Sequence, residues 1–134
     1  MRHAALIAYQ RPKIYAAGME FLYHAFAVLH FVGWAIVLGG YFVSMRTPGL
    51  NKGVFHGAAT AAVAGILMVG VAEMGGLWDD GGPSMTKIGI KLVISLIIAV
   101  LAFLAVKKGD KVSPALKHSI GALTLVNIIV AVFV

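Results

Sequence analysis

The chain has 134 residues, of which 60% are hydrophobic and only 12% are charged, and its mean hydropathy is +0.94. Soluble domains carry about a quarter charged residues, so this composition excludes a typical water-soluble fold and predicts an integral membrane protein. The absence of cysteine excludes disulfides, thiolate nucleophiles, iron–sulfur clusters and cysteine-bound zinc. The net charge of +6 does not predict nucleic-acid binding, because the basic residues lie between apolar runs rather than on one solvated stripe.

The N-terminal segment, residues 1–20, mixes apolar and basic side chains and is interrupted by Pro12. Tyr9 and Tyr15 are suited to the headgroup region of a membrane. We predict that this segment lies at the membrane interface or docks against a partner protein. A frayed terminus is the alternative interpretation.

Four apolar runs follow, and Lys91 is the only charged residue inside them. Each run is long enough to cross the hydrocarbon core as an α-helix, in which the backbone satisfies its own hydrogen bonds. The short loops between the runs place consecutive helices antiparallel. The predicted fold is all-α: residues 21–134 form an integral membrane up-down-up-down four-helix bundle, with spans at 21–45, 54–72, 88–106 and 118–134.

The loop charges predict the orientation of the bundle. Lysine and arginine are more frequent in cytoplasmic loops, so the side that carries more of them is expected to face the cytoplasm. Six lie on one side: Arg46, Lys52, Lys107, Lys108, Lys111 and Lys117. Four lie on the other side: Arg2, Arg11, Lys13 and Lys87. We therefore expect a multi-pass protein of a bacterial inner membrane with both termini outside.

His30 is the first candidate functional residue, because it lies about 13 Å from the outer end of the first predicted span. An ionisable side chain at that depth predicts a functional site. The alternative is a neutral imidazole that is hydrogen-bonded to a neighbouring helix. His24 lies about 120° around the helix from His30, so a two-histidine metal site on this helix is not expected.

Lys91 is the second candidate, near the predicted outer interface. Its side chain either extends to water or faces the interior of the bundle. In the second case it would pair with Glu73, with His30 or with an acidic group of a ligand. Asn127, inside the fourth run, can reach the same half of the bundle.

Small residues mark the faces on which the helices are expected to pack. In the second run they recur every four residues, which predicts a close contact with another helix. The first span carries two glycines on the same stripe as His30, where a helix or a flat cofactor can approach closely. These packing residues are Gly53, Gly57, Ala61 and Gly65 in the second helix, with Gly33 and Gly40 in the first.

The sequence LHFVGWAIVLGG, from Leu29 to Gly40, and the sequence IGIKLV, from Ile88 to Val93, carry a family resemblance. They resemble a superfamily that holds CopD-like copper-resistance proteins and small membrane protoporphyrinogen oxidases, over all four spans. In the oxidases a first-helix histidine and a third-helix lysine are the functional pair and haem association is proposed. The resemblance assigns those roles to His30 and Lys91. The sequence departs from the family pattern in its tryptophan, four residues after the histidine, and in having no aromatic residue directly before the lysine.

Two functions remain open. The favoured hypothesis is a non-enzymatic accessory or assembly subunit of a larger bacterial membrane complex, for example a respiratory supercomplex, in contact with lipid and with other integral membrane subunits. The alternative, which depends on the resemblance, is a haem- or metal-handling protein or a porphyrinogen oxidase that uses His30 and Lys91. The residues alone predict no cofactor, no metal site and no known catalytic motif.

Overall fold

A computed structural model describes residues 2–133, which form four long α-helices and no strand. Met1 and Val134, which belong to the predicted N-terminal segment and to the fourth predicted span, lie outside the described residues. All four helices are long and apolar enough to cross a membrane. The predicted all-α fold is confirmed. The helices are α1 (Arg2–Ser44), α2 (Gly53–Gly75), α3 (Met85–Lys108) and α4 (Pro114–Phe133), with a short 3-10 turn at Gly109–Lys111.

The first helix is longer than the first apolar run. It begins at Arg2 and passes through Pro12 without a break, so the helix start expected at Phe21 is corrected. Proline removes one backbone hydrogen bond from a helix interior. Most residues on either side of Pro12 are strong helix formers such as alanine, leucine, arginine and lysine, which favour continuation of the helix. An interfacial or docking role for residues 1–20 stays a prediction.

Consecutive helices are antiparallel neighbours. Gly33 of α1 lies against Gly57 of α2, and Gly40 lies against Val54, so residue numbers rise along one helix as they fall along the other. Contacts also join α2 to α3, α3 to α4 and α1 to α4, which closes the four helices into an up-down-up-down bundle.

The core lies at the end of the bundle where α1 and α3 finish and α2 and α4 begin. Alanines of α2 and α3 let the backbones approach there, and larger aliphatic side chains fill the remaining space. The fully buried members are Val37, Val54, Ala58, Ala61, Ile98, Ala102, Ala105 and Ile120. At the other end the helices surround a cavity instead.

Serine caps begin the last two helices. Ser84 Oγ accepts a hydrogen bond from the Lys87 N–H, and Ser113 Oγ accepts one from the Leu116 N–H, each at 3.2 Å. Such caps satisfy amide groups that have no partner within the helix. The fourth helix begins at Pro114, four residues before the predicted start of the fourth span at His118.

Candidate functional site

A cavity of about 750 Å³ lies between the four helices, in the half of the bundle away from the core. The two predicted site residues, His30 and Lys91, both line it. Most of the wall is apolar, as in typical small-molecule sites. The other polar or aromatic residues on which the site depends are Tyr23, Trp34, Trp78, Ser95 and Asn127.

The polar and aromatic groups lie at three depths. Tyr23 and Trp78 stack edge to face at the mouth, with ring centroids 6.1 Å apart. His30 is seven residues further along α1 and Lys91 is six residues into α3, so both backbones lie about 10 Å below the mouth. Ser95 is one helical turn deeper than Lys91.

Both ring nitrogens of His30 have hydrogen-bond partners. Nδ1 lies 2.6 Å from the carbonyl oxygen of Ala61, which can only accept, so Nδ1 carries the proton. Trp34 Nε1–H donates to Nε2 at 3.2 Å. The imidazole is therefore neutral in this arrangement and joins α1 to α2.

Gly65 makes room for the His30 ring. A Cβ atom at position 65 would lie 3.1 Å from His30 Cε1, closer than most side-chain contacts. The backbone near Ala61 is brought within reach by Gly33, where a Cβ would lie 2.7 Å from the Ala61 nitrogen. The predicted small residues thus surround the position of the histidine.

The remaining predicted packing residues lie nearer the core end of α1 and α2. A Cβ atom at Gly40 would lie 2.6 Å from Val54 Cγ2, and one at Gly57 would lie 2.7 Å from the Gly33 oxygen. Gly53 is close to the side chain of Asn51, which accepts its backbone N–H at 2.8 Å. Gly53 therefore lies at the start of α2, whereas Gly40 and Gly57 lie in the helix–helix contact.

Lys91 is half-buried, and among residues 2–133 its ammonium group has no ion-pair or hydrogen-bond partner. Glu73, one of the expected partners, is exposed and does not line the cavity. The one contact at salt-bridge distance among the described residues joins His24 Nε2 to Glu20 Oε1 at 3.8 Å, on the surface. Among residues 2–133, the cavity therefore has a lysine with no anionic side chain beside it.

A haem iron would bind His30 through Nε2, because Nδ1 donates to the carbonyl oxygen of Ala61. A histidine that binds a metal commonly donates its other ring N–H to a backbone carbonyl in this way. Here Nε2 accepts the Trp34 hydrogen bond instead. Within residues 2–133 no group of three or more histidine, aspartate or glutamate side chains is arranged to hold a metal ion.

The sequence interpretation missed a second polar cluster at the core end. Lys117, assigned to a loop, is 6% exposed and donates to the carbonyl oxygens of Ser44 at 2.5 Å and Thr47 at 2.6 Å. The tyrosine hydroxyl of Tyr41 lies 2.6 Å from Nδ1 of His118. A signal was present, because Lys117 is in register with the buried residues of α4, which are Ile120, Gly121, Thr124 and Asn127.

Comparisons of the chain with protein-family models, with curated proteins and with solved structures found no match. The resemblance to the CopD-like and protoporphyrinogen oxidase superfamily therefore stays a prediction that depends on the quoted motifs.

Proposed function

We propose that the chain crosses a bacterial inner membrane four times and binds a hydrophobic acid in the cavity between its helices. Lys91 carries this proposal, because its half-buried ammonium group lines a largely apolar cavity without a partner among residues 2–133. An isolated charge at membrane depth is costly. A ligand carboxylate would supply the missing charge through a charge-assisted hydrogen bond, and the apolar wall would contact the rest of the molecule.

Porphyrins are the acids that the family resemblance favours. They combine a large apolar ring with carboxylates, which matches an apolar cavity with one lysine. His30 would hold the iron of a haem through Nε2, and Lys91 would bind a carboxylate. When bound, haem supplies electron-transfer or oxygen chemistry.

Binding by the purified protein tests this proposal. Protoporphyrin IX, haemin and hexadecanoic acid are titrated into the protein in lipid nanodiscs, and binding is followed by absorbance or native mass spectrometry. We expect Lys91→Met to weaken binding of the acids at least tenfold, about the effect of one charge-assisted hydrogen bond. We expect His30→Ala to change the haemin spectrum and leave hexadecanoic acid binding within about threefold.

Lys87 is the matched control. It lies one turn before Lys91 on α3, is also half-buried and does not line the cavity. Lys87→Met should bind all three probes as the wild type does. If none of the acids binds to the wild type, or if both lysine variants lose the same affinity, the proposal is wrong.

The N-terminal half of α1 favours a second function, that of an accessory subunit of a larger bacterial membrane complex such as a respiratory supercomplex. The helix has 43 residues and is about 64 Å long, roughly twice the hydrocarbon thickness. Residues 2–15 are all exposed and include Leu6, Tyr9 and Ile14. A projecting helix with apolar side chains is suited to contact another subunit.

Deletion of residues 2–18 tests the accessory function. In gentle detergent the full chain should co-purify with subunits of one complex in a fixed ratio, as identified by mass spectrometry, and the deletion should release them. Replacing Arg11 and Lys13 by Gln tests whether the positive charges of this segment contribute to the contact. The same change at the exposed Lys107 and Lys108 is the control. Unchanged co-purification after the deletion would contradict this second function.

A further inference from the structure

A chain of hydrogen bonds lies beneath Lys91 at the inner end of the cavity. The Ser95 hydroxyl donates to the backbone oxygen of Lys91 at 2.7 Å, and Asn127 Nδ2 donates to Ser95 Oγ at 3.2 Å. Ser95 and Asn127 are 4% and 5% exposed, and both line the cavity. These hydrogen bonds therefore link the backbone of α3 to the side-chain amide of Asn127 on α4.

These two hydrogen bonds match one orientation of the Asn127 amide. Serine has one hydroxyl hydrogen, and here it is donated to Lys91. The Ser95 oxygen is thus left as an acceptor for the NH₂ group of Asn127. With the amide reversed, the Ser95 hydroxyl would turn away from Lys91 and donate to Oδ1. In the orientation that the structure shows, the other amide atom, Oδ1, is left without a hydrogen-bond partner among residues 2–133.

A buried acceptor without a partner is uncommon in folded proteins, and such atoms call for a specific explanation. This one belongs to a side chain that lines the cavity and lies about one helical turn deeper than Lys91. The cavity thus combines a cation that suits an acid with an acceptor that suits a hydroxyl or N–H group. Oδ1 itself has less than 1 Å² of exposed surface, so a ligand group would reach it once the side chains around it move apart.

We propose that Asn127 Oδ1 accepts a hydrogen bond from the ligand, so that the cavity selects hydrophobic acids that carry a hydroxyl near the carboxylate. This inference rests on the proposed function, since Lys91 must bind the acid group. Lys91 would provide affinity for any hydrophobic acid, and Asn127 would distinguish hydroxylated acids from plain ones. A 3-hydroxy acid carries its hydroxyl two carbons from the carboxylate and so presents both groups from one end of the molecule.

A direct competition tests the inference. The purified full chain in nanodiscs is given equal amounts of hexadecanoic acid and 3-hydroxyhexadecanoic acid, and native mass spectrometry measures the ratio of the two bound forms. We expect the wild type to favour the hydroxy acid about tenfold, the effect of one buried hydrogen bond. Asn127→Leu, which keeps the size of the side chain and removes the acceptor, should bring the ratio close to that of the free acids in the membrane.

Thr124→Val is the matched control, because Thr124 is fully buried one turn earlier on α4 and its hydroxyl bonds only within the helix, to Ile120. It removes a polar group without touching the cavity, and the ratio should stay as in the wild type. The comparison of variants in the same membrane cancels any difference in partition between the acids. If Asn127→Leu does not fold, the preference of the wild type for one acid over the other still tests the inference.

The outcomes separate the two proposals. Equal binding of both acids that is lost in Lys91→Met would leave the proposed function in place and overturn the role of Asn127. A preference that survives in Asn127→Leu would overturn it as well. Failure of both acids to bind the wild type would contradict the proposed function itself for this class of acid.

Discussion

His30 allows two interpretations that its position in the sequence does not separate. Its position near the middle of an apolar run predicts either a functional group or a satisfied imidazole. The four-residue spacing to Trp34 places the indole within reach on the same helix, and the Ala61 carbonyl comes from another helix. The imidazole is satisfied, and ligation by Nε2 requires the indole to move. The structure shows the satisfied imidazole, and a ligating role for His30 stays a proposal.

Lys117 holds the end of α1 in place. Its ammonium group donates to the carbonyl oxygens of Ser44 and Thr47, at the C-terminal end of the helix, where a cation is favourable. Lys117→Met should lower the free energy of unfolding by about 2 kcal/mol, because hydrogen bonds to a charged group are lost. Unfolding in detergent, followed by far-ultraviolet circular dichroism during a titration with dodecyl sulfate, measures this change.

Lys111 provides the comparison for that measurement. It lies in the connection just before α4, carries the same charge and is exposed. Lys111→Met should change the unfolding free energy by less than about 0.5 kcal/mol. Equal stability of the two variants would mean that the buried ammonium group does not hold the end of α1.

At the scale of the element, the four apolar runs predicted the helices because a backbone in hydrocarbon has few alternatives. The start of α1 was not predictable from hydropathy, since residues 2–20 mix charged and apolar side chains. Pro12 indicated an interruption that the helix does not show. Hydropathy reports where a helix meets lipid, whereas helix length also depends on local propensity beyond the membrane.

Contact between α1 and α2 depends on Gly33. A Cβ at this position would lie 2.7 Å from backbone atoms of Gly57 and Ala61, which cannot move aside cheaply. Gly33→Ala should lower the free energy of unfolding by about 1–3 kcal/mol through overpacking. The His30 to Ala61 hydrogen bond should lengthen as the helices separate. Unfolding in detergent measures the first effect.

Gly39 is the control in the same helix, because nothing lies within 4 Å of the added atom there. Gly39→Ala should leave the stability unchanged or raise it by up to about 1 kcal/mol, since alanine favours the helix more than glycine. A similar loss in both variants would show that the effect comes from the helix itself and not from its contact with α2.

For the whole molecule, the bundle is closely packed at one end and hollow at the other. Small side chains meet across the helices at the core end, whereas His30, Lys91 and Asn127 lie around the cavity. A mostly apolar cavity with a few polar groups, next to a packed core, is a common arrangement for binding sites, because the core holds the lining residues in position. The packed end also contains the buried lysine.

The topology of the whole molecule can be tested by labelling one position in each of its three loops. The chain has no cysteine, so a single introduced thiol reports one position. We expect Asp80→Cys to react with a membrane-impermeant maleimide in intact cells. Thr47→Cys and Asp110→Cys should react only after the membrane is opened. All three changes leave the lysine and arginine count of every loop intact, so the orientation signal is preserved.

Two results would contradict this topology. Labelling of Thr47→Cys and Asp110→Cys in intact cells, with Asp80→Cys protected, would reverse the predicted orientation and keep the four spans. Labelling of Thr47→Cys and Asp110→Cys on opposite sides would exclude four spans.

The sequence by itself determined the helical class, the four apolar segments, their antiparallel order and the two residues, His30 and Lys91, that stand out inside them. Segregation of charge from apolar runs carries that information, because each charge placed in hydrocarbon is costly. Only the tertiary structure decided that both residues line one cavity, that Trp34 donates a hydrogen bond to His30 and that Lys117 is buried. These facts depend on the rotation of each helix about its axis. A helix that is apolar all round carries little pattern to mark its inner face, so the close contacts at Gly33 and Gly57 set that rotation.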